Sequence, residues 1–133
     1  MKYRISMSKI LIFSVILCGS YFVVDRTFKY SAVSDITGWK IDPQADIKTL
    51  KKKWVWAQGE TVWVIERESI SQESLNDFKN CESIQEKELF KRIPELKIKT
   101  KDNGQFCYLQ KSENNDVINL YLGKTFVVVH FSI

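Results

Sequence analysis

Residues 10–24 read ILIFSVILCGSYFVV and carry no charged side chain. Asp25 and Arg26 end this run. A bilayer-spanning helix needs about 20 mostly apolar residues, and the run approaches that length with the residues just before it. The sequence therefore predicts a membrane anchor over residues 1–24, followed by one domain over residues 25–133.

Two alternatives for the apolar run remain open. A cleaved signal peptide would use Cys18-Gly19-Ser20 as a weak cleavage site, but the run continues through residues 21–24, which favours an uncleaved anchor. A lipoprotein would be lipidated at Cys18, although Leu17 is bulkier than the small residue usual before such a cysteine.

Charge predicts the orientation of the anchor. Lys2, Arg4 and Lys9 precede the run and are expected to stay in the cytoplasm. The C-terminal domain is then expected in the periplasm, with the anchor in a bacterial inner membrane. The rest of the chain has seventeen basic against sixteen acidic residues, so nothing in its charge favours nucleic-acid binding.

The chain has three cysteines. Cys18 lies inside the apolar run, which leaves Cys81 and Cys107 in the exported part. A pair of cysteines in an oxidising compartment is typically bridged, so we expect a Cys81–Cys107 disulfide. Two buried free thiols are the alternative. The absence of a Cys-x-x-Cys motif argues against a zinc site.

The first part of the domain predicts a helix and a hairpin. Residues 28–33 form a strand-like fragment in a juxtamembrane stretch. Asp42 and Pro43 are typical of a helix start, and the lysines at 51–53 suit the end of that helix.

Strands are then predicted at 54–57 and 61–67 around a turn at 58–60. The second strand is apolar on both faces, which predicts a central position in a sheet. The hairpin gathers three tryptophans: Trp54, Trp56 and Trp63. They are candidates to line a small apolar ligand pocket or a partner surface, and the alternative is a place in the core.

Two short helices should follow. Ser71 is placed to cap a helix over residues 71–80, with Ile70 and Leu75 as a hydrophobic staple. A capping box at 83–86 predicts a second helix that ends near Arg92.

The C-terminal part predicts a four-stranded antiparallel meander. Asn103-Gly104 is typical of a hairpin turn. The predicted strands are 96–100, 106–110, 117–122 and 125–133. The fold class is therefore α+β: a transmembrane helix, then a small antiparallel sheet or partial barrel with a short helical insert.

No catalytic motif is present in the sequence. His130 is the single histidine, and no Gly-x-Ser-x-Gly nucleophile elbow accompanies it. Phosphate loops, dinucleotide fingerprints and metal-ligand spacings are also missing. We therefore expect a binding protein without cofactor or metal, and not an enzyme.

Four short segments are Ser14-Val15-Ile16-Leu17, Phe28-Lys29, Ile36-Thr37-Gly38-Trp39 and Gly59-Glu60-Thr61. They resemble segments of small partner proteins of membrane-bound virulence regulators, the ToxS and TcpH type. The resemblance implies a periplasmic domain that stabilises a single-span transcription regulator of the ToxR type. For some relatives it implies a lipocalin-like barrel, formed with the regulator, that binds bile salts. One competing hypothesis is a periplasmic immunity or inhibitor protein against a bacteriocin or lysozyme. Another is an envelope protein or secretion-system component of unassigned role.

Overall fold

The computed structural model describes residues 7–96 and 104–133. Its first element is helix α1, Met7–Thr37, which has 31 residues. At about 1.5 Å per residue, α1 is about 46 Å long. Its most apolar window of 18 residues has no buried part, and the helix is long and apolar enough to cross a bilayer.

Helix α1 continues well past the apolar run, so the strand-like fragment predicted at 28–33 is wrong. Burial of Val33 and Thr37 stabilises the added turns, and Val33 packs in the core on one side of the sheet. The helix ends before Gly38, whose φ of +72° and N–H···O bond to the Ser34 carbonyl (2.8 Å) form a left-handed cap. The division at residue 24 into anchor and exported domain stays a prediction.

In the described residues, six antiparallel strands form one sheet in the order β1-β2-β6-β5-β4-β3. The strands are β1 Ile47–Val55, β2 Gln58–Glu66, β3 Glu82–Gln85, β4 Gln105–Glu113, β5 Asp116–Leu122 and β6 Phe126–Ser132. Short helices join them: 3₁₀ turns at Arg67–Ser69 and Asn76–Asn80, α2 at Gln72–Leu75 and α3 at Glu86–Arg92. The predicted α+β class is confirmed, and the sheet is open rather than closed into a barrel.

The sheet buries side chains on both faces, and β2 is central as predicted. The end of α1 and the residues that follow it cover one face, which we call the α1 face. Buried there are Val33, Trp39, Ile41, Ile47, Trp63, Ile65, Ile70, Leu75, Phe78, Ile118, Leu120, Val127, Val129 and Phe131. Helix α3 covers the other face, where Val62, Val64, Ile84, Leu89, Ile93, Leu96, Phe106, Tyr121, Phe126 and Val128 are buried.

Three strands of the predicted meander are confirmed as β4, β5 and β6. The predicted first strand and its turn fall mainly on residues 97–103, outside the described residues. Strand β3 pairs with β4, with Ser83 opposite Cys107. Ser83 is therefore not a helix cap: α3 begins at Glu86, and its end at Arg92 agrees with the prediction.

The helix predicted from Asp42 to the lysines is wrong. Asp42 accepts bonds from the N–H groups of Gln44 (to its side chain) and Ala45 (to its carbonyl), both at 2.9 Å, which closes a single turn. The chain then extends into β1, because pairing with β2 satisfies its backbone groups along nine residues. A helix over these residues would also have satisfied their backbone groups, but β2 would then have had no paired strand on the side where β1 lies.

The predicted cap at Ser71 is confirmed. Its hydroxyl accepts a bond from the Ser74 N–H at 3.2 Å, and the staple residues Ile70 and Leu75 are both buried. The helical segment begins as α2 and continues as the 3₁₀ turn Asn76–Asn80.

The Cys81–Cys107 disulfide is also confirmed, with a Cα–Cα distance of 5.4 Å. It joins the end of the Asn76–Asn80 turn to β4, and so ties the helical insert to the sheet. A disulfide of this kind is typical of an oxidising compartment.

We expect the Cys81→Ser/Cys107→Ser double variant to lose about 3 kcal/mol of unfolding free energy, because the bridge constrains a long loop of the unfolded chain. Urea unfolding of the full chain in detergent measures this. The matched control is Cys18→Ser, which leaves the bridge intact and should not move the midpoint. An unchanged midpoint in the double variant would contradict the expected stabilisation.

Asp77 of the helical insert contacts both Trp39, which lies just after the end of α1, and Lys111 of β4. Its Oδ2 accepts the Trp39 indole N–H at 2.9 Å and lies 2.5 Å from Lys111 Nζ. Partial burial opposes ionisation of Asp77, but the hydrogen bonds from Lys111 and Trp39 outweigh it and lower its pKa. A lowered pKa means that ionised Asp77 stabilises the folded chain at neutral pH.

We expect Asp77→Asn to lower the unfolding free energy at pH 7 by at most about 1 kcal/mol, since the ion pair is partly exposed. The stabilisation is fully present above the unfolded pKa, about 3.9, and is lost as pH falls through the lower folded pKa. Urea midpoints across a pH series test this. Glu73→Gln, which removes an exposed pair with Lys40, is the control and should not shift the midpoint measurably. A difference of constant size down to the lowest pH at which the chain stays folded would refute the assignment.

Candidate functional site

Helix α1 crosses the α1 face from the middle of the sheet to its β1 edge. Ile36 shares a groove with Trp63 of β2 and Phe131 of β6. Eight residues closer to the N-terminus of α1, the Phe28 ring centroid lies 5.8 Å from Lys52 Nζ of β1. Arg26 donates to the Gln44 carbonyl at 2.9 Å, just before β1 begins. Strand β1 is therefore the last strand that α1 passes before its apolar part leaves the domain.

A groove of about 650 Å³ lies between α1 and the sheet. Its volume falls within the range typical of small-molecule pockets. Its apolar lining comes from both sides: Tyr21, Phe28, Ala32 and Ile36 of α1, and Trp54, Trp63 and Phe131 of the sheet. Such a lining can bind an apolar group, and the described residues place no nucleophile with a base beside it.

The structure brings two of the three predicted tryptophans together at this groove. Trp63 is buried, with 6% of its surface exposed, and forms part of the floor. Trp54 is 42% exposed and lies at one end. Its indole N–H donates to Thr61 Oγ1 at 3.0 Å, and its ring is 6.3 Å from that of Phe131.

Gly59 makes this position of Trp54 possible. The two residues are paired across β1 and β2, and a Cβ on Gly59 would collide with the Trp54 indole ring. The glycine is thus required for close approach, because any other residue would displace the ring.

Trp56 lies elsewhere, and its predicted place on the strand beside Trp54 is wrong. The hairpin turn is Trp56-Ala57, two residues earlier than predicted, because β1 and β2 pair as far as Val55 and Gln58. Trp56 occupies the turn with φ of +58° and is 99% exposed.

The lysine run alternates between the two faces of β1. Lys52 is paired with Thr61 on the α1 face, whereas Lys51 and Lys53 lie on the opposite face. Lys51 Nζ is 2.9 Å from Glu60 and 3.3 Å from Glu95.

Glu60 holds a small charged network on that opposite face. Its hydrogen bond from Lys51 lowers its pKa, with a smaller contribution from His130. His130 Nε2 of β6 lies 2.8 Å from Glu60 Oε1. The ion pairs of Lys51 with Glu60 and Glu95 link β1, β2 and the segment after α3 on this face. Over residues 7–96 and 104–133, no group of three His, Cys, Asp or Glu side chains could hold a metal.

A larger hollow of about 900 Å³ lies on the face opposite α1, near the start of β1. Six of its twelve lining residues are charged: Asp46, Lys48, Glu66, Arg67, Glu68 and Lys124. Water solvates such a lining well, so the apolar groove under α1 is the stronger candidate site.

The residues of α1 that line the groove were missed from sequence. The stretch after residue 24 had been interpreted as strand fragments. A helical signal was present, however, because Phe28, Ala32 and Ile36 recur at intervals of four.

We expect Gly59→Ala to expel the Trp54 ring from its place, break its bond to Thr61 and cost about 1–2 kcal/mol of unfolding free energy. Tryptophan quenching by acrylamide should rise as the ring leaves the groove. The control is Gly19→Ala, where the new methyl group meets nothing within 4 Å. Unchanged quenching in Gly59→Ala would refute the packing described.

Comparison of this chain with models of known protein families, with curated proteins and with solved structures finds no match.

Proposed function

We propose that this chain is a single-pass protein of the bacterial inner membrane whose periplasmic domain binds and stabilises a second membrane protein. The expected partner is a single-span transcription regulator, the class implied by the resemblance to ToxS and TcpH partner proteins. The domain acts by binding, and over the described residues it offers a sheet edge that no strand covers and an apolar groove for that purpose.

The orientation rests on two features. The basic residues Lys2, Arg4 and Lys9 lie before the apolar run, which favours a cytoplasmic N-terminus. The Cys81–Cys107 bridge lies in the domain beyond α1, and disulfides persist in the oxidising periplasm. Both support export of the domain.

The part of the β4 edge that no described strand pairs with is the observation that carries the proposal. Strand β4 has nine residues, but β3 pairs only with Gln105–Tyr108. In the described part of the chain no strand lies beside Leu109–Glu113 on that side. Their outward backbone N–H and C=O groups can pair with a strand of another protein, which is a recurring mode of peptide recognition.

The side chains along this edge would give an added strand both apolar and polar contacts. Leu109 is partly buried on the α1 face, and Lys111 is already held by Asp77. An added strand would therefore meet an apolar position and a neutralised charge, with the exposed Ser112 beyond them. This edge offers less resistance to pairing than β1, whose lysines oppose it.

The test places a photo-crosslinking amino acid at Ser112 of the full chain in living cells. We expect it to capture a single-span protein with a cytoplasmic DNA-binding domain. Removing this chain should then lower the level of that partner through proteolysis. The matched control carries the crosslinker at Lys87, exposed on α3, and should capture far less of it.

Two outcomes would overturn the proposal. One is an unchanged partner level when this chain is absent. The other is capture of a secreted bacteriocin or wall-degrading enzyme together with resistance to it in cells that express this chain. That second result would replace the regulator partner with an immunity or inhibitor function.

A further inference from the structure

The tip of the β1–β2 hairpin exposes apolar side chains that the fold does not cover. Trp54 is 42% exposed, Val55 58% and Trp56 99%. Trp56 is also held at φ +58°, a left-handed conformation that bulky side chains rarely adopt. The turn thus presents an indole to the surroundings at the cost of an unfavourable backbone conformation.

Strand β1 lies where the apolar part of α1 leaves the domain. Arg26 and Phe28, which contact the β1 region, are two and four residues beyond Val24. Along a helix this is roughly 3–6 Å. The headgroup layer on each side of a bilayer is roughly 5–7 Å deep. If residues 10–24 fill the hydrocarbon core, β1 is at the depth of the headgroups.

The composition of β1 suits that depth. Four of its nine residues are lysines, at 48, 51, 52 and 53. Lysine ammonium groups bind lipid phosphates, and tryptophan is enriched at membrane–water interfaces. Tyr21 and Phe22 are exposed on α1 at nearly the same level, so the aromatic side chains continue from the helix to the hairpin.

Protection of a sheet edge is the simpler explanation of the lysines, since charged side chains on an edge strand oppose unwanted pairing. It does not account for Val55 and Trp56, which expose consecutive apolar side chains at the same edge. Nor does it account for the position of that edge beside the end of the apolar run.

We propose that the hairpin tip, Trp54–Trp56, lies in the headgroup layer on the periplasmic side of the bilayer that α1 spans, with Lys48, Lys52 and Lys53 of β1 against anionic lipid phosphates. This inference rests on the proposed membrane span and is independent of the partner's identity. The domain is then held to the membrane at two places, through α1 and through the hairpin.

The test uses the full chain in lipid nanodiscs with brominated acyl chains, which quench tryptophan only at short range. The emission of Trp56 is obtained as the difference between the natural chain and Trp56→Tyr, because tyrosine keeps the interfacial character of the position. We expect a shift to shorter wavelength and loss of most of this emission in brominated lipid. Trp39→Phe is the control, since Trp39 is buried and its emission should be unaffected.

The lysines are tested by a triple variant, Lys48→Gln/Lys52→Gln/Lys53→Gln. Quenching of Trp56 should be stronger in nanodiscs that contain phosphatidylglycerol than in neutral ones, and this gain should be lost in the variant. Removing the same charge elsewhere, with Lys79→Gln/Lys87→Gln/Lys91→Gln, should leave the gain intact.

Each failure has its own signature. Release of the chain from membranes by alkaline carbonate would overturn the membrane span itself. Retention of the chain with Trp56 unquenched by bromine and open to aqueous iodide would overturn the lipid contact alone. Protection of Trp56 from iodide only when a second protein is added would assign the tip to a protein partner instead and overturn this inference.

Discussion

Packing of Val33, near the end of α1, into the core beside the sheet is the contact on which the architecture depends. It makes the end of α1 part of the domain core, and no break separates this end from the apolar run. The groove, the place of β1 and the direction in which the apolar run leaves the domain all follow from this single packing contact.

Those parts of the fold that depend on local patterns were predictable. The strands β5 and β6 have dense β-branched and apolar sequences, and β2 is apolar on both faces, as a central strand must be. The disulfide was predictable because only Cys81 and Cys107 lie beyond the apolar run. The cap at Ser71 follows from the chemistry of its own turn.

The errors lie where a distant partner decides the conformation. The segment from Asp42 has a good helix start, yet pairing with β2 draws it into a strand. Ser83 has a good capping sequence for a helix, yet pairing with β4 makes it part of a strand, β3. At the candidate site, Trp54 and Trp63 could be named from sequence. The spacing of Phe28, Ala32 and Ile36 carried a helical signal, but the packing of this helix on the sheet could not be predicted, because it depends on residues distant in the sequence.

An unbroken helix has a fixed phase as well as a fixed length. Each residue turns the chain by about 100° and advances it by about 1.5 Å. The number of residues between Val24 and Val33 therefore couples the faces of the apolar part of α1 to the faces of the sheet. A partner that packs a helix on one side of α1 and pairs a strand with the β4 edge would find these two sites at one fixed angle about the axis of α1. Insertion or deletion of a single residue between Val24 and Val33 would rotate these two sites relative to each other, although the side chains at each site would be unchanged.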